Sequence, residues 1–378
     1  MDRSYDVAIA GLGAMGSAAA RALALRGLRV VGFDRFAPPH ALGSSHGRSR
    51  IIREAYFEHP SYVPLVQRAY VLWEELERES GERLLLRTGG LMIGRPEGLL
   101  VTGALASARA HGLVHERIDA EEIARRVPAL RPATGMVGVW EPRAGVLFPE
   151  PAVAAFLASA RRHHAEIHTG EPVVSWRPEG DGVEIRTPRG DYHAGRLVVA
   201  TGAWFLGLVP ELALPLSVER VALFWFEPRA DPAAFDPERF PVFILEHADG
   251  RFIYGFPRLE GAVKLARHHE GEPADPDRLR RDVDADEVES MRAILRPYLP
   301  DADGPLRETA VCMYTNTPDG HFLIGSHPRQ PRVLLVSACS GHGFKFAPAI
   351  GEIVSDLVIE GRTRGDLALF RLARLRAP

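Results

Sequence analysis

The stretch "YDVAIAGLGAMGSAAARALALRGLRVVGFD", residues 5 to 34, constrains the fold of this chain more than any other. An apolar run leads into Gly11, Gly13 and Gly16 in GxGxxG spacing. An alanine-rich helix ended by Gly27 follows, and a second apolar run, Leu28 to Phe33, closes on Asp34. Strand, tight turn, helix and strand in that order predict a doubly wound α/β unit. The glycines let backbone N–H groups approach a pyrophosphate at the helix N-terminus, and Asp34 stands where a ribose hydroxyl can donate to a carboxylate. The chemistry is dinucleotide binding, and the motif leaves NAD and FAD both open.

Other segments are expected to return to the same turn. "RLVVATGAW", residues 196 to 204, has the form of a strand ending in a Gly turn, as flavin enzymes often have. It follows a hairpin-like pair, "GVEIRTPRGDYHAG", that turns at Pro188, Arg189 and Gly190. Helices are predicted around Val66, Tyr70, Trp73 and Leu76 and over "EPAVAAFLASARRHHAE". Near the C-terminus, "VLLVSACSGHGFKFAPAIGEIVSDLVIEG" predicts a strand, a turn at Gly341 and Gly343, and a helix from about Ala347 to Glu360. That helix start aims N–H groups and partial positive charge at whatever precedes it. The intervening segments contain short β-type runs: "GRFIYGFP", "AVKLARHH" and "AVCMYT". A chain of 378 residues is larger than one core usually serves. The expectation is a discontinuous dinucleotide-binding domain, 1–85, 146–215 and 321–378, with a β-rich (α+β) substrate domain, 86–145 and 216–320, laid over the cofactor.

Composition narrows the partner. A net charge of −3 gives no electrostatic footprint for nucleic acid or an anionic membrane, so a small molecule is expected. No apolar run is long enough to span a bilayer, and the N-terminus enters a strand directly, so a soluble, cytoplasmic protein is expected. Two cysteines cannot form a disulfide framework, and no CxxC pair or other metal pattern stands out. His164 and His168, near an arginine-rich helix end, read as a solvated face. Only two of the 46 basic residues are lysines, Lys264 and Lys345, and Asn316 is the single asparagine. This bias fits a heat-adapted source, and gene composition would produce it too. Arginine replaces lysine wherever only positive charge on a flexible stem matters. The two lysines therefore mark positions where a compact, rotatable ammonium is needed.

These motifs, in this order, resemble monomeric sarcosine oxidase and its relatives, the N-methyl amino acid oxidases, over essentially the whole chain. The matching stretches are "GLGAMGSAAA", "GSSHGRSRIIREAY", "EPRAGVLFPE", "VVATGAW", "YGFP" with "VKLARHH", "AVCMYTNTPDGHFLIG" and "SGHGFKF". The resemblance implies that the cofactor is FAD, attached by a thioether from its 8α-methyl carbon to Cys312. It implies that Lys264 promotes the reaction with oxygen and that Arg53 and Lys345 bind a substrate carboxylate. Arg50 and His46 match residues that line the flavin, and Tyr254, His268 and Tyr314 match pocket positions. His269 is expected to face away, since alternate strand residues point to opposite faces. Two departures bear on substrate preference: Cys339 stands where characterised members have a bulky apolar residue, and Ile244 replaces a methionine at the pocket edge. The resemblance thus implies a Rossmann-like FAD-binding domain and oxidation of a secondary amino acid such as sarcosine by O2, in a monomer or weak homo-oligomer. N-methyltryptophan or cyclic imino acid oxidation, a glycine-oxidase-like enzyme with dissociable FAD, and an NAD-dependent dehydrogenase are the alternatives.

Overall fold

The computed structural model describes residues 4–248 and 250–375. Strand Ser4–Ala10, helix Ala14–Leu25 and strand Val30–Asp34 form the expected opening unit, and the two strands pair in parallel. The expected hairpin strand and returning strand are one element, Gly190–Val199. Its first half pairs antiparallel with Gly182–Thr187, and the same strand runs parallel to Ser4–Ala10 and to Gln330–Ser337. Small and β-branched residues in "GRLVV" allow this, because the strand is buried on both faces toward its C-terminal end. The eight-stranded sheet therefore brings the C-terminal ends of Ser4–Ala10, Gly190–Val199 and Gln330–Ser337 to one edge. Ligands of doubly wound sheets bind at such an edge.

A nine-stranded sheet is built around Ser217–Phe226, Ala262–His268, Arg251–Leu259 and Val242–Ala248, and continues through Gly90–Gly94 and Val137–Glu141. Leu306–Asn316 pairs with Ser217–Phe226 over its whole length and sets Cys312 opposite Val221. Helix Ala285–Tyr298, started by a capping box of Asp284 and Glu287, buries Met291 and Leu295 in the core of this sheet. A third sheet of short strands, Arg50–Ile52, Gly145–Leu147 and Leu85–Arg87, lies apart from both. The expected boundaries at 85/86 and 145/146 run through two of these strands rather than through loops.

Helix Tyr62–Ser80 buries Val66, Tyr70, Trp73 and Leu76, and helix Ala347–Glu360 has the expected bounds. The His164 and His168 reading needs correction, since the two do not share a helix face. Helix Pro149–Arg162 ends before His164, which is left-handed at φ 67°, and His168 sits on strand Glu166–Thr169. Its ring stacks on Phe33 at 5.2 Å and its Nδ1 lies 3.0 Å from the buried Glu171 carboxylate. No helix among the described residues is long and apolar enough to cross a membrane.

Candidate active site

A cavity of about 890 Å³ runs between the two large sheets. Its first wall is the glycine turn. Gly11 has φ +88°, and a Cβ there would lie 2.6 Å from the Ala200 carbonyl oxygen, so only glycine fits. Asp34 Oδ2 accepts from Leu12 N at 2.8 Å and Oδ1 from Phe36 N at 2.8 Å, which ties the turn to the end of the second strand. Helix Ala14–Leu25 starts at Gly13 with no cap from that residue's side chain and no acid in its first turn. Gly13, Ala14 and Met15 line the cavity, as does Thr201, whose buried Oγ1 has no hydrogen-bond partner. A helix start free of acid, a glycine cradle and an orphaned hydroxyl fit an anionic dinucleotide. Gly16 does not line the cavity; it lets the helix pack against the Gly11 turn.

The second wall carries the cysteine. Cys312 is 2 % exposed, and Arg50 Nη2 donates to its sulfur at 3.6 Å. The same guanidinium donates to the carbonyls of Ser44 and Ser49, both at 2.8 Å. Lys264 lies behind this group and is not in the cavity lining. Its Nζ donates to Gly47 O (2.6 Å), Ser49 O (2.9 Å) and Ser49 Oγ (3.2 Å), which occupies all three ammonium N–H bonds. Burial first, and then the Arg50 charge, hold its pKa well below the ordinary lysine value. His46 is also buried away from the lining, with Nε2 unpartnered. Burial and the neighbouring Arg50 push its pKa down to about 3, so it is neutral.

A second cationic group stands on the wall formed by residues 53 to 58 and the C-terminal turn. Arg53 donates to both oxygens of Glu58, at 2.7 and 2.8 Å, and to Ala55 O at 3.0 Å. Lys345 Nζ donates to His342 O at 2.7 Å and Tyr56 OH at 3.2 Å. Burial first, and then Arg53, lower its pKa to about 7. Gly341, Gly343, Ile244, Tyr254, His268 and Tyr314 complete this end of the cavity. The two tyrosine hydroxyls meet at 3.3 Å. Burial keeps His268 neutral, with a pKa well below the usual imidazole value, and raises that of both phenols. Cys339 also lines the cavity and accepts from Thr315 N at 3.4 Å. His269 stays out of the lining, but strand alternation is not the reason: the strand ends at His268, and His269 turns at φ 58°.

Sequence reasoning missed Glu58, Tyr56 and His342, which all touch this group, and the two glutamates that end "EPRAGVLFPE", Glu141 and Glu150. Tyr56, His342, Glu141 and Glu150 all lie in stretches already singled out, whereas Glu58 lies outside them and carried no signal.

Comparison with known proteins agrees with the cavity. Residues 6–357 match the family of FAD dependent oxidoreductases. The chain is 46% identical to the monomeric sarcosine oxidase of Streptomyces avermitilis, covering 100% of this chain and 99% of that one. It is 36% identical to the N-methyl-L-tryptophan oxidase of Salmonella heidelberg, covering 98% and 99%. Its fold superposes on NikD, an unusual amino acid oxidase essential for nikkomycin biosynthesis, with a TM-score of 0.84 at 26% identity, covering 98% and 97%. The chain belongs to the FAD-dependent oxidoreductases, in the family that holds the monomeric sarcosine oxidases and the N-methyl amino acid oxidases.

Proposed function

We propose that this protein is a cytoplasmic FAD-dependent oxidase of secondary, N-methyl amino acids, with sarcosine as its first candidate substrate. Sarcosine, O2 and water would give glycine, formaldehyde and hydrogen peroxide. The observation that supports this most is the meeting of two buried cations, Arg53 and Lys345, on one wall of a cavity whose other wall holds Cys312 beside Arg50. The eight-stranded sheet would form the FAD-binding domain and the nine-stranded sheet the substrate domain.

FAD, when bound, supplies the two-electron redox chemistry. Gly11, Gly13 and the start of helix Ala14–Leu25 would hold its pyrophosphate, Asp34 a ribose, and Cys312 its ring through a thioether. Arg53 and Lys345 would take the substrate carboxylate, which orients the amine. Glu58 holds Arg53 Nη2, so an incoming carboxylate would compete with it at that nitrogen. His268 and the Tyr254–Tyr314 pair, all neutral, would enclose the amine without holding it protonated. Lys264, fixed behind Arg50, would add positive charge where oxygen takes up electrons.

The test is an acid precipitation followed by a substrate screen. A yellow pellet over a colourless supernatant, with peroxide released from sarcosine, is the expected result. Peroxide from N-methyltryptophan or cyclic imino acids alone would move the substrate. A yellow supernatant with activity on glycine would replace this reading with a glycine-oxidase-like one.

A further inference from the structure

The stretch "EPRAGVLFPE", residues 141 to 150, lies antiparallel to the segment that carries Arg50 and Arg53. The ladder pairs Arg50 with Leu147, Ile51 with Val146 and Ile52 with Gly145. Beyond those pairs, a glutamate at each end takes over from the ladder. Glu150 Oε1 accepts from Gly47 N at 2.7 Å and Arg48 N at 3.1 Å. Glu141 Oε1 accepts from Glu54 N at 2.5 Å and its Oε2 from Ala55 N at 2.8 Å. Each carboxylate grips two consecutive backbone N–H groups.

What these grips hold differs. At the first end, Gly47 and Arg48 are both left-handed, at φ 95° and 64°. A Cβ on Gly47 would stand 2.8 Å from Leu223 Cδ1 and 3.3 Å from Lys264 Nζ. The turn wraps the lysine, with Gly47 O and Ser49 O both accepting from Nζ. Glu150 sits in the first turn of helix Pro149–Arg162, where a carboxylate is favoured, and it draws the Lys264 pKa upward. At the other end, Ala55 gives its N–H to Glu141 and its carbonyl to Arg53. Glu141 is 1 % exposed, and burial raises its pKa to about 7 against the pull of its two N–H donors. A buried carboxylate is a costly way to satisfy two amides if their exact placement has no consequence.

We propose that Glu150 and Glu141 are positioning residues with separate duties, Glu150 setting Lys264 through the turn at 47–49 and Glu141 setting Arg53 through residues 54 and 55. The inference rests on the function proposed above. Glu150 governs the reaction with oxygen, and Glu141 governs capture of the carboxylate.

The test uses holoenzyme and two measurements: the rate at which O2 reoxidises dithionite-reduced protein, and the Kd for acetate by titration calorimetry. Glu150→Ala is expected to slow reoxidation about tenfold or more and leave the acetate Kd unchanged. Glu141→Gln is expected to weaken acetate about tenfold and leave reoxidation unchanged. Glu150→Gln, which keeps one acceptor and removes the charge, is expected to shift the pH profile of reoxidation to lower pH, and Glu150→Asp to restore it. The charges acting on Lys264 in that profile are Arg50, Arg48 and Glu150, with neutral His46 nearby and Cys312 uncharged once it is held as a thioether.

Parallel changes of both constants in both variants, or no change in either, overturn the proposal. If Glu141→Gln yields no folded holoenzyme, the Glu150 variants decide alone: reoxidation equal to that of the parent protein at every pH overturns it. Failure of the parent protein to oxidise any N-methyl amino acid would sink the proposed substrate instead, since neither measurement uses one.

Discussion

Arg53 and Glu58, five residues apart, close on each other as a bidentate ion pair at the cavity wall, with both oxygens within 2.8 Å of one guanidinium nitrogen. An acid of the chain thus occupies the cation best placed for an acid of the substrate. The predicted consequence is competition. Glu58→Gln should tighten acetate binding by about tenfold, roughly 1.4 kcal/mol, because the incoming carboxylate no longer displaces a charged partner. It should also lower Tm, since a buried guanidinium loses its counter-ion. Weaker acetate binding at an unchanged fold would show that Glu58 orients Arg53 rather than competing for it.

Lys345 makes carboxylate binding pH-dependent. Its pKa in the folded protein is lowered to about 7, so it is charged below that pH and neutral above it. Only the charged form attracts a carboxylate. Acetate affinity should hold steady below about pH 7 and fall about tenfold per unit above it, and Lys345→Met should remove that slope. The stability effect has the opposite sense. Between about 7 and the unfolded value near 10.4, the unfolded chain binds more protons at this residue, so its contribution to stability rises with pH.

Cys312→Ala should release the flavin colour into the supernatant after acid precipitation and leave the fold intact, since the cysteine is a small buried residue on a long strand paired with Ser217–Phe226. Colour retained in the pellet would move the attachment point elsewhere, with Cys339 the next residue to replace.

Lys264→Arg tests whether a compact ammonium is required. Three oxygens within 3.2 Å converge on one nitrogen, a geometry that a planar guanidinium cannot reproduce. Reoxidation by O2 should slow by about 10²-fold in both Lys264→Arg and Lys264→Met, with reduction by substrate much less affected. A fully active arginine variant would show that charge alone suffices there.

Heat adaptation, where it holds, would act through arginine-based ion networks such as Arg220 and Arg280 converging on Glu287. A Tm above about 65 °C that falls in molar salt is the expected outcome, and a melt within about 45–65 °C would assign the arginine bias to gene composition.

The glycine turn, the helix starts and Asp34 were legible in the sequence because their physics is local. GxGxxG spacing, an apolar run and a closing acid imply the same backbone wherever they occur, and Ala347–Glu360 appeared with the bounds its pattern implied. Rarity was legible as well: both lysines of the chain are buried at the site, one on its wall and one behind it. Partners depended on the tertiary structure. Glu58 could be read as one more acid on a loop, and nothing in "FEHP" announces that it closes on Arg53. The resemblance gave Lys264 a role in the reaction with oxygen, but not its partners: the turn at 47–49 takes all three of its N–H bonds. The sequence by itself determined which backbone motifs form and which residue types could not be exchanged, since those follow from φ, ψ and side-chain chemistry over a few residues. Only the tertiary structure decided which charge meets which, because ion pairing and burial depend on segments such as 47–55 and 141–150 that meet only when the sheets close over the cavity.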